Sequence, residues 1–241
     1  MKRTPTSSCF AAALFAVSLS IADGQMLAQE IAEVVHLDFE NGEIEHWVDV
    51  KLAKRSTSFT VVWESQESVL RVESDESAAA LWHKLDLSPT TNHVVSWRWK
   101  VASALSGNAH EREKKGDDYA SRFFVIFDDE PFSKRTRAIC YVWAASELVG
   151  AVYPNPYFAN VATIVLQSGN ANAGEWIVEE RQFVEDYVRA FGRAPQAVTA
   201  VAVMADTDNT KRNSTAWFDK ISVRLRSAEP ADSGPSHSTG P

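Results

Sequence analysis

Two short polar stretches carry the side chains best suited to chemistry. In Asp206-Thr207-Asp208-Asn209-Thr210, two carboxylates, a carboxamide and two hydroxyls fall within five residues. Upstream, Gly116 permits a tight turn that leads into Asp117, Asp118 and Tyr119, with Arg122 close behind. Such groups hold sugar hydroxyls, or a hard cation through oxygen ligands. Asp206-x-Asp208 begins like a calcium loop. Thr210 and Lys211, however, stand where a further ligand and the sharp-turn glycine belong, and no glutamate closes the loop, so it is not an EF-hand. Asp, Asn and Thr also build ordinary turns by bonding nearby backbone, so a ligand-contacting loop and a solvated turn both stay open. Asn155 and Tyr157 add a carboxamide and a phenol on what reads as another loop.

Catalytic constellations are scarcer. His36, His46, His83, His93 and His110 are scattered, with no pair at metal-ligand spacing. No nucleophile elbow, phosphate loop or dinucleotide fingerprint occurs. A glycosidase could draw on Asp117, Asp118, Glu179 and Glu180, but that chemistry needs two carboxyls roughly 5–10 Å apart, which spacing in sequence does not give.

The elements that must position these groups are strands. Short β-branched and aromatic runs separated by turn residues recur at 57–64, 68–74, 78–85, 93–101, 119–127, 138–145, 160–167, 175–182, 197–205 and 215–225. One short helix is expected at 184–192, with Val184, Tyr187, Val188 and Phe191 on one face and Gly192 as its stop. The pattern reads as an all-β, two-sheet jelly-roll sandwich. Alternation puts Val95, Trp97, Trp99 and Val101 on one face of their strand. Flanking valines favour core packing over a sugar-stacking platform. Arg122 falls on an otherwise apolar face and needs a carboxylate or a ligand; four residues after Asp118, it is placed for a salt bridge to it. Asp219 is expected on the core side of the last strand with Trp217, Ile221, Val223 and Leu225, where it too requires a partner.

Composition bounds the setting. The chain has 241 residues, 45% hydrophobic and 23% charged, an ordinary globular balance with length enough for a core without disulfides. Lys2 and Arg3 precede an apolar run from Cys9 to Ala22, the pattern of a secretory signal peptide ending at 22 or, alternatively, at 28; an uncleaved anchor is the other reading. The folded domain is expected over 34–226, and the Pro/Ser/Gly-rich residues 227–241 read as a disordered tail. Cleavage leaves 22 basic against 32 acidic side chains, which argues against nucleic acid and anionic membrane surfaces. It also leaves Cys140 as the single cysteine, in an apolar strand, hence a buried inert thiol.

The segments SWRWKV (96–101), KGDDYASRFFVIFD (115–128), CYVWA (140–144), NPY (155–157), ERQFVEDYVRAFG (180–192), MADTDNT (204–210) and AWFDKI (216–221) resemble, in order, the bacterial family Domain of Unknown Function 3047. That resemblance implies an exported β-sandwich and supplies no reaction. LDFENGEIEHW (37–47) and AWFDKISV (216–223) are similar to the first and last strands of galactose-binding-like jelly rolls, a fold of many carbohydrate-binding modules. In such modules a calcium ion often bridges the two ends. The resemblance therefore implies Glu40 and Asp219 as ligands of a structural calcium, with Asp38 as a further candidate; otherwise Asp219 bonds to backbone or to an arginine.

Taken together, the expectation is a periplasmic or secreted protein that binds a carbohydrate-like small molecule or polysaccharide without catalysis. Its expected ligand-binding residues are Asp117, Asp118, Tyr119, Arg122, Asn155, Tyr157, Asp206, Asp208, Asn209 and Thr210. A glycoside hydrolase or polysaccharide lyase on the same fold is the alternative, and an envelope protein-interaction module the third reading.

Overall fold

Strand alternation is legible directly in the burial of β6 (His93–Val101): Val95, Trp97, Trp99 and Val101 are fully buried, while Ser96, Arg98 and Lys100 turn away. The computed structural model describes residues 33–40, 44–128 and 136–225. The expected signal peptide and C-terminal tail lie outside the described residues. Before β6 come β1 (Glu33–Leu37), β2 (Trp47–Lys51), β3 (Ser58–Glu64), β4 (Glu67–Asp75) and β5 (Ala78–Leu87). After it come β7 (Tyr119–Phe127), β8 (Arg137–Ala144), β9 (Val152–Pro154), β10 (Val161–Ser168) and β11 (Ile177–Arg181), then α1 (Phe183–Phe191), β12 (Val198–Asp206) and β13 (Asn213–Leu225).

These strands form a sandwich of two sheets. One runs β11-β6-β13-β4-β3 with β1 also on β13; the other runs β2-β5-β12-β7-β8-β10-β9. All described pairings are antiparallel except β10 on β8. Between the sheets lies the aromatic core. Trp97 stacks on Phe123 of the opposite sheet at 4.2 Å and 10°, and meets Trp99 edge-on and Tyr141 at 5.3 Å. Offset and edge geometries of this kind add to the burial of large rings, so the tryptophan pair is core, as its flanking valines suggested.

The seven-stranded sheet is apolar on both faces, and every residue of β7 is buried. Phe123, Val125 and Phe127 join the central core, whereas Phe124 and Ile126 join Ala138, Cys140, Ala202 and Met204 on the outer face. Cys140 is fully buried there, and burial pushes its thiol up to about 12, which makes it unreactive.

Two expectations need correction. In α1, Val188 is 42% exposed; Phe183, Val184 and Tyr187 form the packed face, and Gly192 ends the helix in the left-handed region at φ 71°. Asp219 does not face the core. The register of β13 against β6 slips between Asp219 and Ser222, with Lys220 at φ 50°, so the bulge inverts the alternation. Ala216 and Phe218 before it, and Ile221 and Val223 after it, point inward; Asp219 lies beside Arg98 on the outer face.

His93 offers a test of packing at the edge of the core. It is 5% exposed, and its Nδ1 lies 2.9 Å from both the Thr90 amide and hydroxyl, the amide donating to it. Burial lowers its pKa, against the opposing effect of Thr90. A histidine held neutral in the fold contributes stability above its unfolded value and loses it as pH falls. The melting temperature is therefore expected to drop on acidification from about pH 7 to 5.5, and to drop less in His93→Gln. An equal drop in both proteins would remove His93 from the account. Among the described residues, no helix is long and apolar enough to cross a membrane.

Candidate ligand-binding site

The outer face of the seven-stranded sheet holds a cleft of about 300 Å³, floored by Phe124, Ile126, Ala138 and Met204 and closed at one end by polar side chains. Its size falls at the lower end of the range for small-molecule sites. Three loops meet at the polar end: the turn before β7, the loop between β9 and β10, and the loop between β12 and β13.

Arg122 anchors this end. A register shift where β7 meets the end of β12 pairs Met204 with Arg122 but Asp206 with Tyr119. Tyr119 and Arg122 therefore share the outer face, the guanidinium lying 4.4 Å over the ring. Arg122 is 3% exposed; its Nε donates to Asp206 Oδ1 at 2.8 Å, and its Nη2 donates to Asp206 Oδ2 and to the Asp117 carbonyl. The bidentate geometry is the strong, directional form of this pair. Asp206 Oδ1 also accepts the Tyr119 amide at 3.1 Å. Burial, and the charges of Asp118 and Asp117, push the Asp206 carboxyl up to about 8 against the opposing pull of Arg122. Burial works to lower Arg122, yet Asp117 and Asp206 hold it well above its ordinary value.

The other expected residues are drawn into the same network. Asp117 Oδ2 accepts Asn155 Nδ2 at 2.8 Å, while its Oδ1 is buried with no hydrogen bond, 3.3 Å from Arg122 Nη2. Burial raises Asp117. Asn155 Oδ1 in turn accepts the amides of Tyr157 and Phe158, which shapes the rim. Asp118 is fully buried and accepts four donors, the amide and Nδ2 of Asn209 and the amide and hydroxyl of Thr210. The Tyr157 hydroxyl sits 2.7 Å from Asn209 Oδ1, tying two loops together. Asp118 thus serves the 206–210 loop and not Arg122, because the shifted register breaks the simple alternation from which that salt bridge was expected. Asp208 is half-buried, and burial followed by the Asp118 charge raises it. Tyr119 is fully buried, its hydroxyl 2.9 Å from that of Tyr153, so it supports the cleft from below.

One oxygen from each of Asp118, Asp206 and Asp208 lies within 4.8 Å of the others, a group that can hold a metal ion. The Asp118 and Asp206 oxygens already accept protein donors, which a metal would have to displace. At the other proposed calcium position, Asp219 Oδ2 accepts Arg98 Nε and Nη2, the arginine alternative, and Glu40 Oε2 is 3.4 Å from the Ser68 amide. Asp38 Oδ2 is 3.2 Å from His36 Nε2. Glu179 and Glu180 lie on β11 of the opposite sheet. Glu179 takes Trp99 and Gln167, and Glu180 pairs with Arg224, so neither joins the acids of the cleft.

Phe124, Met204 and the 58%-exposed Phe158 were not singled out from the sequence. The alternation of β7 carried the signal for Phe124: it shares a face with Arg122, and an apolar face that also holds a buried cation borders polar surroundings.

Solved structures similar to this chain include the family 11 carbohydrate-binding module of a cellulosomal cellulase of Clostridium thermocellum, with 10% identity over 83% of this chain and 98% of the module, at a TM-score of 0.45. The xylan-binding CBM22-1 domain of Paenibacillus barcinonensis Xyn10C has 14% identity over 83% of this chain and 97% of that domain, at 0.41. An adhesin domain of Lys-gingipain from Porphyromonas gingivalis has 13% identity over 80% and 99%, at 0.40. No curated protein matches the chain. The sequence profile described as "Protein of unknown function (DUF3047)" matches residues 45–222, and the chain belongs to that family.

Proposed function

We propose that this is an exported, non-catalytic binding protein whose outer cleft takes a carbohydrate-like ligand. The observation that carries the reading is the cleft itself: an apolar floor meeting a polar end built from three loops. A sugar ring has the same division, with an apolar face of C–H groups and an equator of hydroxyls. Phe124 and Met204 suit the first, and Asp117, Asp208 and Asn209 suit the second. Tyr157, 46% exposed on the rim, gives an aromatic face that can cover a ring. Catalysis is poorly served, because Asp117 and Asp206 both engage Arg122, which leaves Asp208 as the carboxylate outside that pairing among the described residues lining the cleft.

The test is a thermal melt against neutral, amino and acidic oligosaccharides, repeated with calcium and with chelator. A ligand at about a hundred times its dissociation constant adds about 2.7 kcal/mol, a rise on the order of 5 °C for a domain of this size. One sugar class is expected to give that rise. Tyr157→Ala should weaken it at least tenfold, or about 1.4 kcal/mol, while leaving the free protein's melting temperature within a degree or two. Failure of every sugar class to shift the melt would reject the reading, and release of reducing ends from a polysaccharide would replace it with a hydrolase. Because Arg98 already neutralises Asp219, calcium alone is expected to change nothing. A rise lost in Asp219→Asn would place the ion with Glu40, and one lost in Asp208→Asn would place it with Asp118 and Asp206.

A further inference from the structure

We infer that the end of the cleft farther from Arg122 seats a hydrocarbon chain, so that the ligand class is a sugar bearing an alkyl or acyl substituent. The inference rests on the carbohydrate reading above and adds a second half to its ligand. Strand register defines that end. Arg122, Phe124 and Ile126 succeed one another on the outer face of β7. A strand rises about 3.3 Å per residue, so the Ile126 backbone lies about 13 Å from that of Arg122. Ile126 pairs with Ala138 on β8, and Ala138 with Val161 on β10, so three hydrocarbon side chains form one row across three neighbouring strands. All three line the cleft, as does Phe158, whose carbonyl accepts the Val161 amide at 2.9 Å.

A single sugar ring does not account for this row. Met204 pairs with Arg122, and Phe124 is one step further along the face, so a ring at the polar end covers these two and the row lies beyond them. A second ring there would strip water from its hydroxyls against Ile126, Ala138 and Val161, which is costly without hydrogen-bond partners. Thr136 brings one hydroxyl to that side, where a pyranose carries several. Asn155, bonded to Val161 through the backbone, has its carboxamide committed to Asp117 and to the Tyr157 and Phe158 amides. A methylene placed on the same row gains by leaving water. Because polar side chains close the cleft at the Arg122 end, a linear ligand lies with its polar head there and its chain along the floor. The size agrees: a cavity of about 150 Å³ lined by apolar side chains takes benzene, so half of the 300 Å³ here has room for a chain of roughly six carbons.

The experiment is titration calorimetry of the purified protein with methyl, octyl and decyl β-glucosides below their micellar concentrations, with 1-octanol as the chain without a head. Affinity is expected to rise at least about fiftyfold from methyl to octyl, at one site per chain. From octyl to decyl it should rise less than about threefold, where unlimited burial would give about tenfold or more. Octyl glucoside is expected to bind at least about tenfold tighter than 1-octanol. Val161→Phe, which fills the far end from a half-buried position, should cut the octyl-to-methyl ratio at least about fivefold. Phe158→Ser, at a 58%-exposed position, should cut it by a similar factor, and circular dichroism checks that both variants fold. Equal affinity for methyl and octyl glucosides overturns the chain assignment and keeps the carbohydrate reading. Equal affinity for octyl glucoside and 1-octanol overturns the carbohydrate reading and keeps the seat for the chain. Binding that climbs with every methylene and survives both variants is surface adsorption and overturns the chain assignment. Silence from all four probes overturns it too, while a melt raised by another sugar class would keep the carbohydrate reading.

Discussion

Arg122→Met is expected to lower stability by about 3–5 kcal/mol in chemical denaturation at about pH 9, where Asp206 is ionised, the loss typical when one partner of a buried ion pair is removed. The reasons lie on both sides of the guanidinium. Asp206, 3% exposed, keeps the Tyr119 amide but loses the two charged donors that hold it. The Asp117 carbonyl loses a donor as well, and its carboxylate loses the nearest positive charge. Methionine fills much of the volume, so the deficit is electrostatic and not a cavity. The pH dependence has a defined sign. The Asp206 carboxyl sits above its unfolded value, so the folded chain holds a proton that the unfolded chain releases. Its contribution to stability is complete below the unfolded value near 3.9 and is lost as pH rises through the folded value of about 8. Arg122 is what restrains that carboxyl from rising further, so its removal extends the window upward. The gap between wild type and variant should thus be wider at about pH 9 than at pH 6. A loss under about 1 kcal/mol at both pH values would show that the pair does not hold the cleft together.

The fold was legible because its signal is local. Alternation in 93–101 named the inward residues correctly, and Gly192 marked the helix end through its left-handed backbone. Asp219 was misplaced for the opposite reason. A single-residue bulge at Lys220 inverts the faces of a strand, and nothing in a lysine announces a positive φ. The same limit applied to Asp118 and Arg122, whose expected pairing assumed a regular strand across a point where the register shifts. That Arg122 needs a carboxylate was readable from its apolar surroundings; that the carboxylate belongs to Asp206, 84 positions away, depends on β12 lying beside β7. The three polar segments were each visible, but their meeting at one end of the cleft is set by sheet order. Composition does not encode that order.

The loop that this order assembles can be dismantled from a single atom group. Asp118→Ala is expected to cost about 3 kcal/mol, since hydrogen bonds to a charged group contribute roughly 1.5–3 kcal/mol each and water recovers part of the loss at the half-buried donors. Its carboxylate is the common acceptor for the Asn209 and Thr210 amides and for both of their side chains, and no other described group could take all four. Asn209 in turn holds the Tyr157 hydroxyl, so release of the loop frees the aromatic rim as well. Stability and ligand affinity should therefore fall together in Asp118→Ala, with affinity down tenfold or more. In Tyr157→Ala only affinity should fall, because an exposed side chain is lost from an intact loop. The contrast separates two roles that single mutants often confuse, a residue that touches the ligand and one that holds the contacting residues in place. If Asp118→Ala unfolds at the wild-type denaturant concentration, the loop keeps its shape without the carboxylate. If it is destabilised yet binds as tightly as wild type, the 206–210 loop lies outside the site and the cleft must be read from its apolar floor alone.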